Sequence, residues 1–275
     1  MGGAIRVGAV SFLNAKPLYH RLEEFAPDAR LSMDLPSRLA DGLARGDLDV
    51  ALIPSIEYFR GASRGYEIVP GLAIASWGPV RSVKLFSRVP IERIGRLALD
   101  AGSRTSQALV RIWLAEVHGV VPARIEPLPM GVPAQESTAD AVLVIGDRAM
   151  KVADDGFVAS IDLAEAWRSW TGLPFVFALW VARAGADLGD LPDVFLRCRD
   201  DALAHADDLA ALHGPRLGLD AATCRDYLTK SLSYDLGEPE TAALRLFAHK
   251  AAALGLAPQG ADLVFHRRRP LATRR

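Results

Sequence analysis

Ile5-Arg6-Val7-Gly8-Ala9-Val10-Ser11-Phe12-Leu13-Asn14-Ala15-Lys16-Pro17-Leu18 opens the chain with an apolar run that stops at Ser11 and gives way to a helix start. β-Branched residues in the run favour an extended backbone. Pro17 suits the first turn of a helix, where its missing N–H costs little. Asn14 lies between the two, a short amide on a loop beyond the carboxyl end of a strand. Open α/β sheets place ligand-binding groups there. The same alternation recurs downstream. Strands are expected over 4–10, 31–34, 50–53, 72–75, 80–87, 96–99, 141–145 and 175–182. Helices are expected over 17–25, 37–45, 55–59, 105–118, 163–171, 193–212, 221–231 and 239–253. Strand alternating with helix predicts an α/β fold on a mostly parallel sheet with helices on both faces.

With 275 residues, 50% of them hydrophobic, the chain can build one large domain or two lobes. Its last third, 188–256, reads as almost wholly helical, preceded by the β-like run 175–182. A similar run, 80–87, lies about a hundred residues earlier, and a compact α/β stretch separates the two. The economical arrangement makes both runs crossings between lobes. Residues 1–85 plus 181–275 then form lobe one and 86–180 lobe two, with a ligand cleft between them that hinge motion would close.

Composition removes several function classes. The 32 basic residues against 33 acidic ones leave a formal net charge of −1, which argues against nucleic acid or an acidic membrane surface as partner. Cys198 and Cys224 are too few for a disulfide framework, and a reduced, cytoplasmic setting is expected. Met1-Gly2-Gly3-Ala4 carries neither the basic nor the apolar region of an export signal, in line with that expectation. No apolar stretch approaches the ~20 residues of a membrane span. The six histidines form no HExxH or tight His/Cys pairing, so no metal site is expected. The basic end, His266 to Arg275, is expected to be a frayed, solvated terminus.

Four strand-to-helix junctions carry short hydroxyl, amide or carboxyl side chains. These are Asn14, Ser55 after 50–53, the run Asp100-Ala101-Gly102-Ser103-Arg104-Thr105-Ser106, and Asp147 after 141–145. The helix beginning near Thr105 presents free N–H groups and the positive end of its dipole, which suit an anion. One such interaction is worth about 0.3–2 kcal/mol, so several must converge to hold a ligand. Each hydroxyl is equally an ordinary helix cap, Asn14 equally a turn residue, Ser82 an ordinary strand residue, and Arg81 and Arg104 solvated charges. There is no Walker A lysine loop and no GxGxxG after a strand. Taken alone, the residues support a closing binder of a small anion.

Several blocks carry a resemblance. Val10-Ser11-Phe12-Leu13-Asn14-Ala15-Lys16-Pro17-Leu18 is one, followed by Asp49-Val50-Ala51-Leu52-Ile53-Pro54-Ser55 and Gly78-Pro79-Val80-Arg81-Ser82-Val83. Leu99-Asp100-Ala101-Gly102-Ser103-Arg104-Thr105-Ser106 and Ala141-Val142-Leu143-Val144-Ile145-Gly146-Asp147 come next, in the same order. The ordered set resembles chorismate dehydratase of the futalosine route to menaquinone. Phe12 stands where that family often has Tyr, and Ala15 where Thr is common. The resemblance implies a two-lobed periplasmic-binding-protein-like (type II) fold. It also implies conversion of chorismate to 3-[(1-carboxyvinyl)oxy]benzoate with loss of water and no cofactor. It makes Asn14 the catalytic residue at the reacting ring. Ser103, Thr105 and Ser106 would hold a carboxylate, with Ser82, Ser55, Ser11 and Asp147 as further binding residues. The substrate's own enolpyruvyl carboxylate would serve as base. A non-catalytic solute-binding protein, or the sister enzyme that forms dihydroxynaphthoate, are the alternatives.

Overall fold

The computed structural model describes residues 4–129 and 131–267. Its strands are β1 (Arg6–Ala9), β2 (Arg30–Met33), β3 (Val50–Pro54), β4 (Glu67–Ser76), β5 (Val83–Ser87) and β6 (Arg96–Asp100). They continue with β7 (Arg124–Leu128), β8 (Ala141–Ile145), β9 (Ala159–Asp162), β10 (Phe175–Ala182) and β11 (Ser233–Leu236). One sheet has the order β11-β4-β10-β3-β1-β2, the other β7-β6-β8-β5-β9. Every residue of β3 and β8 is buried, so their unbroken apolar runs are those of strands covered on both faces.

The parallel arrangement expected from the alternation gives way to two mixed sheets. β1 runs parallel to β2 and β3, and β6 parallel to β7 and β8. β10 is antiparallel to β3 and β4, and β5 is antiparallel to β8 and β9. The reason is geometric. A strand arriving from the opposite sheet enters at the end facing that sheet and must run away from it. The run expected over 80–87 pairs only from Val83 onward and only within the second sheet. The chain therefore passes between sheets in 77–82, and returns between the helix Leu163–Thr171 and Phe175.

Three strands were not expected: β7, β9 and β11. All are sheet edges, where one side needs no apolar partner. β7 even contains Pro127, which an edge tolerates. β11 also interrupts the C-terminal third that reads as helical. The helix expected over 17–25 is instead a 3-10 turn, Leu13–Tyr19, with Pro17 inside it, followed by the single turn Leu22–Phe25. Arg21, at φ +53°, breaks the two apart. The helix Leu191–Ala204 covers β4 and the Leu13–Tyr19 turn, and Glu238–Ala253 covers β10. Trp180 of β10 stacks on Phe195 at 4.2 Å between ring centroids.

Of the basic end, residues 268–275 lie outside the described residues. His266 is not frayed: its N–H donates to Ile68 O (2.8 Å) and its ring bonds Glu67 (2.7 Å). Cys198 and Cys224 are both buried and unpaired, and burial pushes the Cys198 thiol up to about 12. Among the described residues no helix is long and apolar enough to cross a membrane.

Asp49 ties three strands of the first sheet together. It accepts from the Arg6 amide at 2.9 Å, from the Arg6 guanidinium at 3.1 and 2.9 Å, and from Arg183 just past β10 at 3.0 Å. The Arg6 guanidinium holds its carboxyl well below the usual range against the desolvation that opposes it, and the Arg6 amide and Arg183 add to the effect. Both arginines are about two-fifths exposed, so we expect Asp49→Asn to remove only about 1–2 kcal/mol at pH 7. A depressed folded pKa stabilises above the unfolded value, near 3.8, and that contribution fades as pH falls below it. Urea unfolding at stepped pH should show the gap between wild type and variant narrowing below about pH 4. A gap that widens in acid would contradict the assignment.

Candidate active site

The first passage and the ends of strands from both sheets line a cleft. Val10, Phe12 and Asn14 supply one wall. Val80, Ser82 and Val83 from the first passage supply another, and Ser103 and Ser106 close it from the second sheet. Ile145 at the end of β8, Gly146 beyond it, and Phe177 with Ala178 of β10 also line it. Gly146 has φ +73°, where a side chain is strained, and its α-carbon faces the Phe12 ring.

Asn14 is carried on the 3-10 turn whose Leu13, Ala15, Pro17 and Leu18 are anchored in the core. Its amide oxygen Oδ1 is buried and has no hydrogen-bond partner among the described residues. An orphaned acceptor of this kind costs about 1–3 kcal/mol, and at a cleft wall a ligand donor would relieve it. Behind it, Asp147 accepts the Leu13 N–H at 3.5 Å. Burial pushes the Asp147 carboxyl up, opposed by the Leu13 amide, Lys151 and Lys16. Asp147 thus steadies the turn and is not itself on the wall. Ser11 is exposed and also lies off the wall.

Ser82 reaches the cleft because the first passage is clamped. Asp162 caps the helix Leu163–Thr171 through the Ala164 and Glu165 amides (3.1 and 3.2 Å). The same carboxylate accepts the Val80 and Arg81 amides at 3.1 and 2.6 Å. It holds Arg81 at φ +66°, a left-handed conformation unusual for a non-glycine residue. The Arg81 side chain itself is exposed. Burial pushes the Asp162 carboxyl up, opposed by its four amides. Ser82 Oγ in turn accepts from the Tyr227 phenol at 2.8 Å.

At the helix start, Ser103 is the N-cap of Arg104–His118 and accepts the Ser106 N–H at 3.2 Å. The two hydroxyls lie 2.9 Å apart. Asp100, fully buried, accepts from the Gly102 and Ile145 amides (2.8 and 3.0 Å) and from Arg148, which fixes the loop and the end of β8 together. Arg104 is no free surface charge: it pairs with Asp41 and Glu57 across the sheets (3.1 and 3.0 Å).

Thr105 and Ser55 sit one layer behind the wall, fully buried. Thr105 Oγ1 accepts the Ile56 N–H at 3.2 Å and lies 3.4 Å from Ser55 Oγ, which donates to Val176 O at 2.8 Å. With both hydroxyls engaged, they join the helix start of one sheet to β3 and β10 of the other. Asp162, Asp100 and Tyr227 were not singled out from the sequence. Asp162 stood one residue before an expected helix, and that cap signal could have found it. Tyr227 reads as core, and it owes its placement to the π-helical turn Tyr227–Ser231, which periodicity does not reveal.

The wall is therefore apolar, with short polar tips and the N-terminus of a 15-residue helix. Among the described residues no Asp, Glu, Lys or Arg side chain lines it. Amide dipoles and hydroxyls in such a setting favour a carboxylate and the charge it develops in reaction. Among the described residues no three His, Cys, Asp or Glu side chains gather as a metal site.

A family model described as menaquinone biosynthesis matches residues 5–253. The chain is similar to the chorismate dehydratase of Thermus thermophilus, 31% identical over 269 residues, or 91% of this chain and 95% of that one. The solved structure of a protein from Archaeoglobus fulgidus gives a TM-score of 0.71 at 19% identity, covering 92% of this chain and 98% of that one. The periplasmic aliphatic sulphonate binding protein of Escherichia coli gives 0.65 at 16% identity, covering 96% of each. At these identities the two structures show the fold alone, and it is the periplasmic-binding-protein-like fold that the resemblance implied. The clamp on the first passage carries its own expectation. Asp162→Ala should lower stability by about 2–3 kcal/mol in urea unfolding, from a lost cap and two lost charged bonds. A loss under about 0.5 kcal/mol, the level of an ordinary surface change, would show that Asp162 does not hold the passage.

Proposed function

The chain belongs to the menaquinone-biosynthesis family, and on that premise we propose that it is a hydro-lyase converting chorismate to 3-[(1-carboxyvinyl)oxy]benzoate and water. The observation that carries the proposal is the match to a chorismate dehydratase over nine-tenths of both chains. The cleft is consistent with it. Chorismate is a cyclohexadiene with two carboxylates and a ring hydroxyl. Loss of that hydroxyl and one ring proton makes the ring aromatic, so the driving force lies in the substrate. What remains for the protein is to orient the molecule and neutralise its charge.

The roles follow from position. Asn14 takes the reacting ring, and its orphaned oxygen receives a donor there. Ser103 and Ser106, with the helix N-terminus behind them, hold a carboxylate. Ser82 bonds the substrate from the first passage. Ser55, Thr105 and Asp147 act as supports that keep these groups in place. Transfer of the ring proton to the enolpyruvyl carboxylate, which the family resemblance implies, asks only that the substrate be held folded over its own ring. The two sheets form lobes that close on it, divided at the passages in 77–82 and before Phe175. Two buried, unpaired thiols suit a reducing compartment, and we place the reaction in the cytoplasm.

Incubation with chorismate should produce a growing benzoate-type ultraviolet absorbance. Asn14→Ala should slow it by about 10²–10³-fold, the range for loss of one transition-state hydrogen-bonding group. Near-normal turnover by that variant would remove Asn14 from the chemistry. Tight binding by wild type with no spectral change over hours would instead make the protein a non-catalytic carboxylate binder.

A further inference from the structure

Ser82 is 1% exposed, and its Oγ lies at the cleft wall. Among the described residues its hydroxyl has one hydrogen-bond partner, the Tyr227 phenol at 2.8 Å. That phenol is fully buried, and desolvation keeps it protonated far above neutral pH, against the opposing effects of Ser82 and the neighbouring Asn14 amide. A phenol has one hydrogen to give. With that hydrogen directed at Ser82 Oγ, the serine is the acceptor in this pair and its own hydrogen is left over. The remaining direction open to it is the cleft.

The turn that carries the phenol has a second tie besides Ser82. Tyr227 opens the π-helical turn Tyr227–Ser231. The far end of that turn is held at Ser231, whose carbonyl accepts from Ser76 Oγ at 2.8 Å. Ser76 ends β4 where the first passage begins, and Ser82 ends that passage. The turn and the passage are thus joined at both ends, by Ser76–Ser231 and by Ser82–Tyr227. This frame keeps the Tyr227 phenol beside Ser82 Oγ.

We propose that Tyr227 is a positioning residue which orients the Ser82 hydroxyl as a one-way donor into the cleft, so that this point of the site selects a ligand oxygen with lone pairs to offer. On the dehydratase proposal, on which this rests, that oxygen belongs to chorismate, as a carboxylate or as the departing hydroxyl. An oriented donor gains strength as negative charge builds on its acceptor and needs no reorganisation to do so. Tyr227 touches no substrate itself and acts only through Ser82.

The test is a double-mutant cycle on Tyr227→Phe and Ser82→Ala, with kcat, KM and the Kd for chorismate measured on all four proteins. Y227F should lower kcat/KM roughly 10-fold, the lower end of what outer hydrogen-bond partners contribute where they orient metal ligands. In the S82A background the same change should have almost no further effect, because the hydroxyl it orients is gone. A merely structural tyrosine would instead give losses that multiply in the double variant. Unchanged kcat/KM and Kd in Y227F, or multiplying losses, would overturn the inference. Thermal unfolding of each protein separates misfolding from misalignment, and S82A reads the serine's contribution even if Y227F folds poorly. A wild type that binds chorismate without turning it over would sink the dehydratase proposal, and the cycle in Kd would then decide this one.

Discussion

The Asp162 carboxylate gathers four backbone N–H groups, two from the helix it caps and two from Val80 and Arg81. Everything that makes the cleft a site depends on that gathering. The chain must leave the first sheet after Ser76 and enter the second at Val83, and in between it has no ladder to satisfy its amides. Asp162 satisfies two of them and fixes Arg81 in a left-handed turn. Without that turn Ser82 would not reach the cleft or the Tyr227 phenol. Thr105 and Ser55 do the corresponding work on the return side, where their hydroxyls bind the helix start of the second sheet to β10 of the first.

The same constraint explains the chemistry of the wall. Strand ends and helix starts converge on it, so its polar groups are main-chain amides and the short side chains that cap them. Ionisable side chains such as Asp100, Asp147 and Arg104 are placed behind or beside it, each engaged with the protein. A site of this kind stabilises a carboxylate with dipoles that are already oriented. It suits a reaction whose substrate gains aromaticity.

Much of this was legible in the sequence, and what was not has physical causes. Apolar runs covered on both faces, such as 50–53 and 141–145, announced their strands with near-correct limits. β7, β9 and β11 did not, because an edge strand needs only half the apolar pattern. The mixed pairing was hidden because strand direction follows from where the chain crosses, which local pattern does not encode. For the site, Asn14, Ser103 and Ser106 stood out as short polar residues at junctions and Ser82 through the resemblance, and all four line the cleft. Ser55 and Thr105 carry the same signal but spend their hydroxyls on each other and the backbone. A sequence cannot separate these cases, since both are serines or threonines at helix starts. Ser11 shares the motif of Asn14 but faces solvent.

The central claim is that a doubly negative guest is gripped in this cleft by amides and short polar tips, with no partner of opposite formal charge. A crystal structure with 3-[(1-carboxyvinyl)oxy]benzoate bound tests it most directly. The expected result places one carboxylate within hydrogen-bond distance of the Ser103 and Ser106 hydroxyls and the ring beside Asn14, with Ser82 donating to a ligand oxygen. A carboxylate paired with an arginine or lysine, or a ligand bound away from Asn14, would contradict it.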